Sequence, residues 1–143
     1  MLIAVNAGNS RVLLGGYEED GQVFSASIAT EPKLTRDDYA CKLQQVLLLY
    51  GVNVRRIHGG IVSSVVPSMV GVLEGALRLL GIRDVIEVSS GVKTGLNIRS
   101  EQPRQVGSDR VAAAVAARAK GKLPCVAITL GTATTFTALD GSG

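Results

Sequence analysis

Two apolar runs broken by a glycine-centred polar turn lie at opposite ends of this sequence, and no other feature restricts the fold as much. Leu2 to Val5 leads into Asn6, Ala7, Gly8, Asn9, Ser10 and Arg11, and Val12 to Leu14 follows. Near the other end, Val126 to Ile128 leads into Thr129 to Thr135 through Gly131, and Phe136 to Leu139 follows. Strand-length apolar runs on either side of a small polar turn predict β-hairpins, with Asn6 corresponding to Thr129 and Gly8 to Gly131. One such turn is ordinary hairpin composition. Two of them, each with amide or hydroxyl side chains at the bend, predict loops that offer backbone N–H groups to one anion from opposite sides. A phosphate chain fits that description.

With 143 residues the chain can bury a core without disulfides or a metal. Its apolar runs are strand-length, far short of a bilayer span, and no basic segment leads into a signal-type apolar run, so a cytoplasmic protein is expected. The net charge of +3 comes without basic residues interleaved with aromatics, which are only 3% of the chain, and this argues against a nucleic-acid partner. A modest positive balance suits an anionic nucleotide equally well. Cys41 and Cys125 have no metal-ligand spacing and are expected to be reduced core thiols.

After the first hairpin the cluster Glu18-Glu19-Asp20-Gly21 predicts a turn and Val23 to Ala29 a third antiparallel strand. Helical period then takes over. Thr35 can cap, Asp37 and Asp38 occupy the positive first turn, and Tyr39, Leu43, Val46, Leu47 and Tyr50 form one face before Gly51. Ile57 to Val66 reads as a strand buried on both faces, and Pro67 and Ser68 open a helix with Met69, Val72, Leu73, Ala76, Leu77 and Leu80 as its stripe. Asp84 to Val88 is a further short strand. His58 has no carboxylate or cysteine at ligand spacing and reads as a strand-edge residue.

From Ser89 to Gly107 periodicity is lost, and Lys93, Arg99 and Arg104, with Arg110 just beyond, predict an anion-facing loop. Ser108 and Asp109 then open an alanine-rich helix. Asp109 has two readings: an acidic residue in the first turn favours the helix dipole, and a carboxylate after a basic loop can also face a ligand.

The opening turn, Thr35-Arg36-Asp37-Asp38-Tyr39, Ser63-Ser64-Val65-Val66-Pro67, Gly91-Val92-Lys93-Thr94-Gly95-Leu96, Gly107-Ser108-Asp109-Arg110 and Gly131-Thr132-Ala133-Thr134-Thr135 together resemble the type III pantothenate kinases, in order and spacing over essentially the whole chain. The resemblance implies an α/β fold of the actin-like, ribonuclease H-like kind, a mixed sheet with a three-strand antiparallel meander and flanking helices. Residues 1–123 would form the first lobe and 124–143 the opening hairpin of an incomplete second lobe. It implies ATP-dependent phosphorylation of pantothenate to 4'-phosphopantothenate, the first step of coenzyme A synthesis. Asn6, Ala7, Gly8, Asn9, Ser10, Arg11, Gly131 and Thr132 would bind ATP, Asp109 would be the general base, and Ser100, Gly107, Ser108, Asp109 and Arg110 would contact pantothenate. The cofactors would be ATP, Mg2+ or a similar divalent cation, and a monovalent cation, K+ or NH4+, near Thr129. The expected assembly is a homodimer.

Three positions depart from the family pattern. Asn6 and Thr129 stand where the family has Asp at the start of each phosphate loop, and Ser100 stands where it commonly has Tyr. Neutral oxygens hold hard cations more weakly than carboxylates do, so a second reading is a catalytically impaired relative that binds nucleotide or regulates. The sequence is also shorter than the family pattern, and Asp140-Gly141-Ser142-Gly143 reads as a turn with no strand after it. The expectation is a fragment of a longer protein, or a strand edge that pairs with another chain.

Overall fold

In the computed structural model, residues 1–89, 91–131 and 133–142 are described, with the side chain of Arg104 left aside. The chain forms two compact units, Met1–Glu87 and Val88–Gly143.

The first unit is a five-stranded sheet in the order β3-β2-β1-β4-β5. Its strands are β1 (Leu2–Ala7), β2 (Arg11–Glu18), β3 (Gly21–Ala29), β4 (Gly59–Ser64) and β5 (Val85–Glu87). The meander β1-β2-β3 is antiparallel, as its short polar turns dictate, while β4 runs parallel to β1 and β5 parallel to β4. Parallel neighbours need a crossover, and α1 (Arg36–Leu49) and α2 (Pro67–Leu79) supply it. Gly21 takes φ +121° directly after the Glu19-Asp20 bend, a conformation that L side chains rarely adopt.

The core lies between the helices and one face of this sheet. Ile3, Val5, Ala7, Val12, Leu14, Phe24 and Val62 meet Tyr39, Leu43 and Leu47 of α1 and Met69, Leu73, Ala76 and Leu77 of α2 in a single buried cluster. The apolar side chains of the opening runs are buried on this face only. Leu2 is 58% and Leu13 47% exposed, because side chains alternate along a strand and both helices of the unit share the other side. The strand expected over Ile57 to Val66 is shorter. Ile57 closes the 3-10 turn Val54–Arg56, and beyond Ser64 the chain bends as the Val66 N–H donates to Ser64 Oγ. It is buried on both faces only in part, since Val62 and Ser63 are buried while Ile61 is exposed. Cys41 is exposed and Cys125 half-buried, so neither is the core thiol expected. At 100° per residue Cys41 falls off the stripe drawn by Tyr39, Leu43 and Leu47. Tyr50 likewise leaves the core face and stacks on Phe24 with ring centroids 5.1 Å apart.

Thr35, expected to cap α1, does so as one half of a capping box. Thr35 Oγ1 accepts from the Asp38 N–H, and the Thr35 N–H donates to Asp38 Oδ2 at 2.9 Å. Glu74 and Arg78 pair at i,i+4 on α2.

The second unit holds the 3-10 turn Pro103–Gln105, then α3 (Ser108–Lys120) and the hairpin β6 (Cys125–Leu130) with β7 (Thr134–Leu139). Val111 and Ala114 of α3 and Leu139 of β7 are its buried side chains among the described residues. Cys125, Ala127 and Thr129 are half-buried, whereas Val126, Ile128 and Leu130 are exposed. The segment 92–102, read as irregular, contains no helix or strand.

Replacing fully buried Leu43 by Ala is expected to cost about 2–5 kcal/mol in urea unfolding, and replacing Leu49, 83% exposed, within about 0.5 kcal/mol. The side-chain and backbone hydrogen bonds from Thr35 hold the Asp38 carboxyl below its ordinary value. Its contribution is therefore present above the ordinary carboxylate range and lost as pH falls through the depressed value. Thr35→Ala is expected to raise the Asp38 titration seen by carboxyl NMR and to flatten the acid-side loss of stability.

Candidate active site

In the first unit the candidate residues gather at the carboxyl ends of two parallel strands, β1 and β4, where ligands bind in open α/β sheets. Asn6 is the penultimate residue of β1, in register with Leu13 on one side and Ser63 on the other. Asn6, Ala7 and Arg11, expected within the turn, belong to the strands, which leaves Gly8, Asn9 and Ser10 as the bend. The bend is held from three directions. The Gly8 N–H donates to Arg11 O at 2.9 Å, Thr30 Oγ1 donates to Gly8 O at 2.8 Å, and the Thr30 N–H donates to Ser10 O at 3.0 Å. A Cβ on Gly8 would sit 3.3 Å from Arg11 O, so the tight bend leaves little room for a side chain. Among the described residues nothing accepts from the Asn9 and Ser10 amides, which remain available to an anion. The neighbouring strand end is tied in, since the Val65 N–H donates to Ala7 O at 3.0 Å.

In the second unit a cavity of about 300 Å³ opens between the loop preceding α3, α3 itself and β7. Leu96, Ile98, Val106, Val111, Ala114 and Leu139 give it an apolar lining, and Asn97, Arg99, Ser100, Arg110, Thr137 and Asp140 add polar groups. Two features fix the loop that forms its wall. Gly95 takes φ +78°, and its carbonyl accepts from Arg118 Nη1 in the last turn of α3. Arg99 Nη1 reaches Asp140 Oδ2 at 3.3 Å, joining the loop to the end of β7.

Arg110 crosses to β7, donating through Nη2 to Phe136 O at 3.3 Å and, at a long 3.5 Å, through Nε to Thr137 Oγ1. Both acceptors are neutral, so neither sets a counter-charge against the guanidinium. Asp109 lies in the first turn of α3, half-buried. Among the described residues nothing donates a hydrogen bond to its carboxylate.

Of the residues read as substrate contacts, Ser100 and Arg110 line the cavity, while Gly107, Ser108 and Asp109 occupy the adjoining start of α3 without forming its wall. Gly131 follows β6, Thr129 is half-buried within it, and Thr132 lies outside the described residues. Asn97, Thr137 and Asp140 were missed. Thr137 could have been found by continuing the period-two pattern along its strand, but nothing local marks Asp140 as the partner of a residue 41 positions away. Among the described residues no three His, Cys, Asp or Glu lie together as a metal site, and neither phosphate-loop candidate contains a carboxylate. Neutral oxygens such as the amide of Asn6 or the hydroxyl of Thr129 hold hard cations more weakly than carboxylates do.

Comparison with known structures defines the class. The chain matches, at a TM-score of 0.58 and 17% identity, a crystal structure described as an N-acetylglucosamine kinase from Porphyromonas gingivalis, covering all of this chain and 46% of that one. A likeness at that identity is one of fold, the α/β actin-like ATPase fold. A sequence profile of the type III pantothenate kinases matches residues 2–143, and the chain belongs to that family. Its relatives include type III pantothenate kinases of Syntrophotalea carbinolica, 38% identical over 143 residues, and Geobacter sulfurreducens, 35% identical over 144. Each alignment covers all of this chain and 56% of the relative, so the chain spans about half the length of the curated relatives it matches.

Gly95→Ala is expected to cost about 1–2 kcal/mol in chemical denaturation, because a Cβ is strained at that φ and would also stand 3.3 Å from Arg118 Nη1.

Proposed function

We propose that this chain carries the phosphoryl-transfer residues of a pantothenate kinase, which transfers the γ-phosphoryl group of ATP to the primary hydroxyl of pantothenate and yields 4'-phosphopantothenate and ADP. One observation supports this above the others. A largely apolar cavity carries a guanidinium that, among the described residues, is bonded to neutral acceptors, and the helix that supplies it places in its first turn a carboxylate to which none of the described residues donates a hydrogen bond.

Pantothenate has a carboxylate at one end and a hydroxyl at the other. Arg110 binds the carboxylate, for which the planar guanidinium is suited by bidentate pairing. The apolar lining accommodates the methyl-bearing chain, and Ser100 offers a small polar group where the family pattern has a larger phenol. Asp109 accepts the hydroxyl proton as the oxygen attacks the γ-phosphorus and the bond to the β-phosphate oxygen breaks. Backbone amides of the Gly8 bend neutralise phosphate charge, and Asn6, Ala7, Arg11, Gly131 and Thr132 complete the nucleotide contacts. ATP brings its divalent cation as part of the substrate, and no step is assigned to a cation held by the protein. Residues 1–123 then belong to the first lobe and 124–143 to the second, in a cytoplasmic homodimer.

The absence of a carboxylate in either phosphate loop favours one second reading, a relative that binds nucleotide with little turnover. Calorimetry with ATP and pantothenate, separately and together, beside a coupled assay for ADP, separates the two. Asp109→Asn is expected to lower kcat by about 10²–10⁴-fold with ATP binding unchanged. Arg110→Lys is expected to raise KM for pantothenate by about tenfold through loss of one charge-assisted hydrogen bond. Nucleotide binding without pantothenate-dependent ADP release would establish the second reading.

A further inference from the structure

Gly107 is the N-cap of α3, with φ −59° and ψ 145° and no side-chain cap bond. Neither usual reason for glycine applies there. Any residue adopts those angles, and at an N-cap Ser, Thr, Asn or Asp would stabilise the helix by accepting from an orphan amide. The space above Gly107 is what distinguishes it. A Cβ built on its backbone would lie 2.5 Å from Asp109 Oδ1, whereas real Cβ atoms essentially never approach under 3.0 Å. The obstructed atom is the free end of a flexible side chain, so a substituent at 107 would turn the carboxylate away at little cost to the fold.

We infer that Gly107 is a positioning residue: its missing side chain is the space into which the Asp109 carboxylate folds back across the start of α3, and any larger residue swings that carboxylate out of its working position. The inference rests on the proposed role of Asp109 as the proton acceptor. It separates two demands that the same position makes on the chain. Helix capping favours a hydroxyl or amide side chain, and base placement forbids one. A displacement of about 1 Å in a reacting group is enough to slow a reaction on the order of a hundredfold.

Gly107→Ser and Gly107→Ala test this together, with Gly71→Ala, whose added Cβ meets nothing within 4 Å, as the control. The Asp109 side-chain carboxyl resonance, assigned by its disappearance in Asp109→Asn, is expected to move in both Gly107 variants and to stay put in the control. Thermal midpoints of Gly107→Ser are expected to equal or exceed those of the unsubstituted protein. Its kcat is expected to fall ten- to a hundredfold with little change in KM for ATP or pantothenate, and adding the change to Asp109→Asn should cost nothing further. A stationary resonance overturns the inference, as does a moved resonance with full turnover, and so does a loss of activity that follows a lowered thermal midpoint. If the unsubstituted protein shows no pantothenate-dependent turnover, the kinase reading fails, and the resonance alone then decides whether the space over residue 107 sets the position of the carboxylate.

Discussion

Strand β1 is bonded along both edges, antiparallel to β2 and parallel to β4, and its register is the constraint on which the first unit depends. Side chains alternate with a period of two, so a slip by one residue exchanges the faces completely. The observed register turns Ile3, Val5 and Ala7 toward α1 and α2. A slip would expose Ile3 and Val5, each worth about 1.5–3 kcal/mol buried, and would put Asn6 into an apolar core at about 1–3 kcal/mol for an unsatisfied amide. The same register sets Asn6 beside Ser63 and leaves the Gly8 bend at the carboxyl ends of β1 and β4. Core packing and the placement of the Gly8 bend are thus decided by one set of pairings.

The elements that could be read from the sequence are those whose signals are local. The apolar run at Leu2 to Val5, the Thr35 cap, the stripe through Met69, Leu73 and Leu77, and proline at the start of α2 each act within one turn or one strand. What escaped reading depends on partners distant in the chain. Leu2 and Leu13 look as apolar as Ile3 and Val12, and only the side chosen by both helices exposes them. Cys41 is a buried residue type by habit and an exposed one by helical angle. In the candidate site, Asp109 and Arg110 stood out because a basic loop runs into a helix start. The ion pair of Arg99 with Asp140 and the crossing of Arg110 to β7 require the hairpin to be folded against α3, which no neighbouring residue announces.

That ion pair illustrates how charge is distributed around the cavity. With side-chain exposures of 65% and 58%, the Arg99 to Asp140 contact is expected to add at most about 1 kcal/mol to stability. Its consequence is electrostatic. Asp140 also accepts from the N–H and hydroxyl of Ser142, which hold its carboxylate beside Arg99. Among the described residues, the Arg99 guanidinium on the cavity wall therefore has a counter-charge, while Arg110, bonded to a carbonyl and a hydroxyl, has none. A cavity so arranged favours a ligand with a single negative charge at one end and apolar surface along its length.

On the proposed reading, the neutral residues at 6 and 129 would affect nucleotide and cation unequally. A carboxylate touching a divalent cation acts at about 2.0–2.6 Å, whereas its repulsion of phosphate oxygens acts across that cation, and Coulomb energies fall with distance. Replacing carboxylates by an amide and a hydroxyl therefore removes more attraction for the cation than repulsion of the phosphates. Phosphates bound at the Gly8 bend would rest on amides such as those of Asn9 and Ser10, and on the proposed reading their affinity would be the less disturbed of the two. On the proposed reading, the residues of this chain would hold the phosphates and take the proton, and charge neutralisation at the transferring group would fall to the cation that ATP carries.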